Sequence, residues 1–296
     1  MTMLLKNFVK LLRPEQWSKN LFIFLPAFFN GQLWNIGILL SSIAGFLAFS
    51  FAASSIYCFN DIFDVAADRL HPKKCQRPVA SGAVSKKMAY VYMAFCLTLS
   101  VAILFLFCRQ GRYGLPGVLL IYYVMNLAYC IRLKRYVIVD VIIISTGFVL
   151  RIFAGGFATG IWLSEWMIIM TFLLALFLAF SKRRDDVVLY IKTGIPPRET
   201  TNRYNLEFAN QVISVIATIT IIAYIMYTLS PEVMERFNSR YIYLTSIFVL
   251  AGIIRYLQVT IVYLKSGSPT KIFLRDKFIQ ACIFGWVVSF LVIIYF

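Results

Sequence analysis

The chain is predicted to be an all-α polytopic membrane protein with nine transmembrane helices, and three observations predict it. Hydrophobic residues make up 60% of its 296 residues and charged residues only 14%, with a mean hydropathy of +0.78, whereas an ordinary soluble domain is about 25% charged. Apolar runs long enough to cross a bilayer, roughly 20 residues each, recur along the whole length. Those runs are continuous rather than alternating, so the backbone satisfies its hydrogen bonds in lipid as helices rather than as barrel strands.

In order, the expected spans are residues 21–34, 37–58, 87–108, 114–131, 137–158, 165–181, 209–229, 241–263 and 277–295. The first is short by this count, and its helix is expected to start earlier, near Trp17. The basic, amphipathic amino terminus has no small-residue cleavage site, so no removable signal peptide is expected. An odd number of spans places the termini on opposite sides. Residues 1–296 read as a single transmembrane domain.

Net charge is +16, and its distribution argues against nucleic acid as a partner. Lys6, Lys10, Arg13 and Lys19 precede the first span, and the connections two, four, six and eight spans along carry nearly all the remaining Lys and Arg. The intervening connections hold only Arg109, Arg112, Arg236 and Arg240. This asymmetry places the basic side, and the amino terminus with it, in the cytoplasm of a cell whose inner (plasma) membrane holds the protein. The polar constellations all fall at that end. Opposite connections such as 30–36 and 159–164 are nearly uncharged and read as tight turns. The six cysteines form no CxxC pair and there is one histidine, so no zinc or haem constellation can be assembled.

The most chemically loaded stretch follows the second span, from Asn60 to Gly82. Asp61, Asp64 and Asp68 fall at i, i+3 and i+7 of a helix and are expected to share a face. Carboxylates that close repel unless positive charge lies between them. An all-oxygen donor set suits Mg²⁺, which takes one or two carboxylates and completes its shell with waters and phosphate oxygens. The plain alternative is an acidic helix end solvated by water. Arg69, His71, Lys73, Lys74 and Arg77 follow at once.

Other constellations lie at the same side. Arg13-Pro14-Glu15-Gln16-Trp17-Ser18-Lys19-Asn20 reads either as an interfacial anchor or as one edge of a site. Tyr129, Arg132, Lys134 and Asp140 surround the connection after the fourth span, and Asp140, Gly147 and Arg151 share a helical face. Asp140 and Arg151 lie three turns apart, roughly 16 Å, so they serve separate roles. Gly147, Gly155 and Gly156 also suit close helix packing. Lys182, Arg183, Asp185 and Asp186 close the sixth span as either an anchor or a phosphate and metal site, facing the Asp61 cluster. This echo after four spans suggests two four-helix halves with an added ninth helix. Arg255 is a cation within a span with no evident partner.

Asn60-Asp61-x-x-Asp64-x-x-x-Asp68 at the end of a second span resembles the first aspartate motif of the UbiA-type intramembrane prenyltransferase superfamily. Further strings resemble its decaprenyl-phosphate phosphoribosyltransferase branch: Arg13-Pro14-x-Gln16-Trp17-x-Lys19-Asn20, Asp68-Arg69-x-His71-Pro72-x-Lys74-x-x-Arg77-Pro78, Gly147-Phe148-Val149-Leu150-Arg151 after Asp140, and Lys182-Arg183-x-x-Asp186. Asp186 stands where that pattern leads one to expect Glu. The resemblance covers essentially the whole chain. It implies nine helices around a central cavity open to the cytoplasm. It also implies transfer of 5-phosphoribose from phosphoribosyl pyrophosphate to a polyprenyl phosphate, with release of pyrophosphate.

On that resemblance, Asp61, Asp64 and Asp68 are the catalytic, metal-holding residues, with Asp186 a further metal ligand. Lys19, Asn60, Arg69, Lys74, Arg77, Tyr129, Lys134, Asp140, Arg151, Lys182 and Arg183 are the substrate-binding set. A prenyltransferase joining an isoprenoid to an aromatic acceptor is the rival enzyme, and a lipid-phosphate transporter the rival of another class. The sequence is compatible with a homo-oligomer and does not require one.

Overall fold

A computed structural model describes residues 3–70, 74–107, 114–198, 200–264, 272 and 275–295. His71 and Lys73, from the basic stretch after the aspartates, and Arg109 and Arg112, used in the charge asymmetry, lie outside the described residues. Every regular element among the described residues is helical. Seven helical stretches are long and apolar enough to cross a membrane, making this a multi-pass membrane protein. A shorter apolar helix covers Lys277–Ile293.

The chain divides into two compact units. The first comprises Met1–Lys134 and Thr146–Leu163. It contains α1 (Met3–Leu12), α2 (Leu25–Phe29), α3 (Ile36–Phe63), α4 (Val65–Leu70), α5 (Lys86–Phe107) and α6 (Gly114–Ile131), with the larger part of α7 (Val139–Thr159). Asn35 starts α3 by accepting from the amides of Gly37 and Ile38 through Oδ1, as an N-cap side chain does. Small residues line the buried face of α3, including Ala44, Gly45, Ala48, Ala52 and Ala53. They let neighbouring helices approach closely around Phe49, Leu115, Tyr122 and Ala154. Closest of all is Gly155, where a Cβ would meet the Ile23 carbonyl oxygen at 2.1 Å. Leu40, Val91, Leu120 and Val124 are exposed, as suits helix faces turned to lipid rather than water.

The expected 21–34 span takes a different form. Pro14–Phe24 is 3₁₀-helical, α2 is a single short helix, and Gly31 turns the chain at φ 67. Pro26 lacks the N–H that a continuous helix through this run would need, and it sits instead in the first turn of α2, where that donor is dispensable.

The second unit comprises Arg135–Ser145 and Ser164–Phe296. It holds the first turns of α7, then α8 (Glu165–Thr193), α9 (Leu206–Leu229), α10 (Pro231–Phe237), α11 (Ser246–Leu257) and α12 (Lys277–Tyr295). Ser164 and Asn205 cap α8 and α9. Val141, Phe177, Ile213, Ile253 and Tyr256 form its apolar core. Helix α8 runs well past residue 181, so Lys182–Asp186 lie inside it and not after it. What ends α8 is Gly194, at φ 68, a conformation glycine adopts without steric cost.

Candidate active site

Asp61 occupies the last turn of α3, and the helix is interrupted at Asp64 before α4 carries Asp68. The three carboxylates therefore do not form one uninterrupted face. Asp61 and Asp68 are 1% and 2% exposed, and burial of ionised carboxylates requires paired charge. The chain supplies it. Arg77 Nη1 lies 2.6 Å from Asp68 Oδ2 and 3.3 Å from Asp61 Oδ1, and Arg13 Nη2 also donates to Asp61 Oδ1. Asp64, half-buried, turns to a different cation, Lys134 Nζ, at 2.5 Å. Lys134 also lies over the Phe63 ring.

Arg13 reaches Asp61 because the backbone turns at φ 50 between α1 and the 3₁₀ segment, with its guanidinium over the Tyr57 ring at 5.0 Å. An arginine in the left-handed region is uncommon, and strained backbone of this kind concentrates at functional sites. Arg13 belongs to the Arg-Pro-x-Gln-Trp string but was not among the expected site residues; nothing in its spacing connects it to Asp61 across the intervening chain. Trp17 and Asn20 of the same string fasten it to α3 through Ser54 and Ser50.

Among the described residues, no group of three or more His, Cys, Asp or Glu side chains is arranged to hold a metal. Yet Asp61 and Asp68 already hold one positively charged nitrogen between them, and a pair of buried carboxylates converging on a cation fits Mg²⁺, which needs only one or two.

Several other expected site residues belong to the same unit. Arg151 is 5% exposed. It donates to Asn20 Oδ1 at 2.7 Å, to the Gly147 carbonyl at 2.6 Å and to the Tyr122 hydroxyl at 3.3 Å. Phe49, Tyr122 and Phe148 present their rings to it. Arg69 is exposed and donates to the Ala80 carbonyl, ordering the loop that delivers Arg77. The Asn60 carbonyl accepts from the Asp64 amide. Tyr129 packs at the edge of the α3–α6 core. Lys74 is half-buried and Lys19 exposed.

A second cluster is confined to the other unit. Asp140 and Arg183, 1% and 2% exposed, are ion-paired at 2.9 Å. Arg183 Nη1 also donates to Asp186 Oδ2 one helical turn along, at 2.8 Å, and Arg198 Nε donates to that same oxygen at 2.9 Å. Lys182 is exposed on α8. Tyr204 accepts from the Ile138 amide, and burial holds its phenol above the ordinary range. Asp140 and Arg151 do have separate partners, as their spacing required. Arg255 is not partnerless: it pairs with Asp276 at 2.9 Å. Arg198 was missed because it lies in an aperiodic loop after Pro196 and Pro197, where no helical spacing links it to Asp186.

Residues 21–292 match the UbiA prenyltransferase family. A decaprenyl-phosphate phosphoribosyltransferase of Corynebacterium glutamicum is 30% identical over 289 residues, covering 97% of this chain and 86% of that protein. Its namesake from Mycolicibacterium smegmatis is 31% identical over 303 residues, covering 99% and 94%. In fold, the chain is similar to a UbiA homolog from Archaeoglobus fulgidus bound to GPP and Mg²⁺, with a TM-score of 0.69, 22% identity and coverage of 97% and 99%.

Proposed function

This chain belongs to the UbiA prenyltransferase family, a family of membrane transferases, and we propose that it transfers 5-phosphoribose from phosphoribosyl pyrophosphate to a polyprenyl phosphate, releasing pyrophosphate. Identity of about 30% over nearly the full length to enzymes named decaprenyl-phosphate phosphoribosyltransferase supports the choice within the family. The observation that carries it is the lacing of Asp61, Asp64 and Asp68 by Arg13, Arg77 and Lys134. Such alternation of carboxylates and cations suits a magnesium pyrophosphate group, whose metal needs the acids and whose oxygens need the bases.

Asp61 and Asp68, with Asp64 beside them, would hold Mg²⁺, which when bound neutralises charge building on the departing pyrophosphate. Arg77 and Lys134 take pyrophosphate oxygens. Lys19, Lys182 and Arg183 are assigned to the remaining phosphates, and Asn60, Arg69, Lys74, Tyr129, Asp140 and Arg151 to substrate positioning. As the C1–O bond to pyrophosphate breaks, ribose C1 gains oxocarbenium character, and a lipid phosphate oxygen forms the new bond there. That oxygen is already anionic near neutral pH, so no strong general base is required. The proposed enzyme spans the inner (plasma) membrane nine times, with its amino terminus and active-site cavity on the cytoplasmic side, as the Lys and Arg asymmetry supports.

The test offers labelled phosphoribosyl pyrophosphate and polyprenyl phosphate to the purified protein with Mg²⁺. A labelled lipid is expected, equimolar with pyrophosphate, and lost on chelation. Asp61→Asn and Asp64→Asn are expected to lower the rate by about 10², the scale for losing one electrostatic element of transition-state stabilisation. No labelled lipid, together with prenylation of an aromatic acceptor from polyprenyl pyrophosphate, would overturn the reading.

A further inference from the structure

Ser54, fully buried on α3, grips the chain on both sides of Arg13. Its hydroxyl oxygen accepts from Trp17 Nε1 at 3.0 Å and lies 2.8 Å from the carbonyl oxygens of both Leu12 and Ser50. The Ser50 carbonyl, one helical turn back, is the usual acceptor of a serine inside a helix. Leu12 is different. Its carbonyl is among the last four of α1, which a helix leaves without donors, and Pro14 has no N–H to offer. Ser50 adds a grip further along, accepting from Asn20 Nδ2 at 2.8 Å. The Trp17 ring stands edge-on to Phe46 and Phe51 of α3.

Between the Leu12 and Trp17 grips, Arg13 stands at φ 50 and ψ 59, a conformation that a residue other than glycine keeps only where its surroundings enforce it. There its guanidinium lies over Tyr57 and donates to Asp61 Oδ1, the oxygen that Arg77 also approaches, at 3.3 Å. Two cations therefore share one buried carboxylate oxygen. A dication arriving at Asp61 has to displace one of them or stand beside it, and like charges at that range repel.

We infer that Ser54 is a positioning residue that acts through Arg13. By fixing the backbone at Leu12 and the side chain of Trp17, it keeps Arg13 turned onto Asp61, and so keeps the aspartate site from holding a divalent cation alone. Alanine at this position would leave the Leu12 carbonyl and the Trp17 N–H without the hydroxyl, and the strained turn between them would be free to relax. A mere staple between α3 and the amino-terminal segment would cost stability whatever side chain stood at position 13. Positioning requires more: the metal affinity must change only while Arg13 is present. This assignment rests on the reading that Asp61 holds metal.

The experiment measures binding of Mn²⁺, a spectroscopic stand-in for Mg²⁺ that shares its preference for oxygen ligands, by electron paramagnetic resonance. The full-length protein is held in nanodiscs of zwitterionic lipid, as wild type, Ser54→Ala, Arg13→Met, the double variant, Trp17→Phe, Ser42→Ala and Asp61→Asn. Arg13→Met is expected to tighten binding about tenfold, the low end of what one neighbouring charge does to a carboxylate's affinity for a proton. Ser54→Ala should tighten it about threefold in the wild-type background and not at all in Arg13→Met, while lowering the melting temperature in both. Trp17→Phe keeps the ring but loses the N–H, and should shift binding in the same direction; it decides the matter where Ser54→Ala fails to fold. Ser42, equally buried on α3, donates to the Ile38 carbonyl of its own helix, so Ser42→Ala should bind as wild type does. Wild-type affinity in Ser54→Ala, or a shift of the same size in the Arg13→Met background, overturns the inference. Asp61→Asn that binds Mn²⁺ as wild type does, or no binding by any of these proteins, would instead overturn the metal role of Asp61 and the inference with it.

Discussion

Arg77 Nη1 donates to Asp68 Oδ2 at 2.6 Å, and the same nitrogen lies 3.3 Å from Asp61 Oδ1. A single side chain thus neutralises two buried acids that lie either side of the break at Asp64. Removing it leaves both carboxylates buried, with Arg13 the sole remaining ion-pair partner of Asp61 among the described residues. Arg77→Met is expected to destabilise the protein by about 3 kcal/mol, the lower end for losing one member of a buried pair, because a quarter of the Arg77 side chain is exposed. Thermal unfolding of the detergent-solubilised protein measures this. Added Mg²⁺ should restore part of the loss in the variant and raise the wild-type midpoint less. A variant melting at the wild-type temperature without Mg²⁺ would contradict the assigned role.

Charge that recurs with helical spacing could be read from the residues alone: three aspartates at the end of an apolar run, a lysine beyond the next hairpin, and a basic stretch before Gly82. What could not be read was pairing over long separations. Arg13 meets Asp61 only because a left-handed residue redirects the chain after α1, and hydropathy carries no information about that turn. The same blindness hid the form of the expected first span, since apolar character is shared by an α-helix and a 3₁₀ segment. Charge at residue 182 looked like a helix end, yet Arg183 and Asp186 pair within the helix, and the stop comes at Gly194.

Arg151 offers a test of separate stability and function. It is buried among neutral acceptors and aromatic rings, with no carboxylate partner among the described residues. An uncompensated cation in a membrane helix contributes little to the fold and is ordinarily kept for an anion. Arg151→Met should therefore melt within about 1 kcal/mol of wild type while losing nearly all transfer activity. Arg151→Lys should not restore it, because one ammonium cannot reach Asn20, Gly147 and Tyr122 together. Wild-type activity in either variant would exclude Arg151 from the site.

Gly155 tests the packing that positions the Arg-Pro-x-Gln-Trp segment. A methyl group there would meet the Ile23 carbonyl oxygen at 2.1 Å, so backbone has to move. Gly155→Ala is expected to lower stability by about 1–3 kcal/mol, the range for overpacking. Displacing the segment also displaces Asn20 from Arg151, so activity should fall further than the melting temperature implies. Gly117 has open space at its Cβ position and provides the control: Gly117→Ala should leave both measurements near wild type.

The Arg255–Asp276 pair sets a pH dependence far from the aspartate cluster in sequence. Asp276 accepts from both Arg255 Nε and Nη2 and from the amides of Phe278 and Ile279, capping α12. Those bonds, the arginine's foremost, hold its carboxyl below the ordinary range. A depressed folded-state value means the stabilisation is complete above the unfolded value, about 3.9, and is lost as pH falls through the folded one. Asp276→Asn preserves the cap but removes the charge. The melting temperature of wild type should exceed that of the variant by a constant margin from neutral pH down to about 5, and the margin should shrink on further acidification. A margin that widens at low pH would show that the charge of Asp276 is not what stabilises this end of α12.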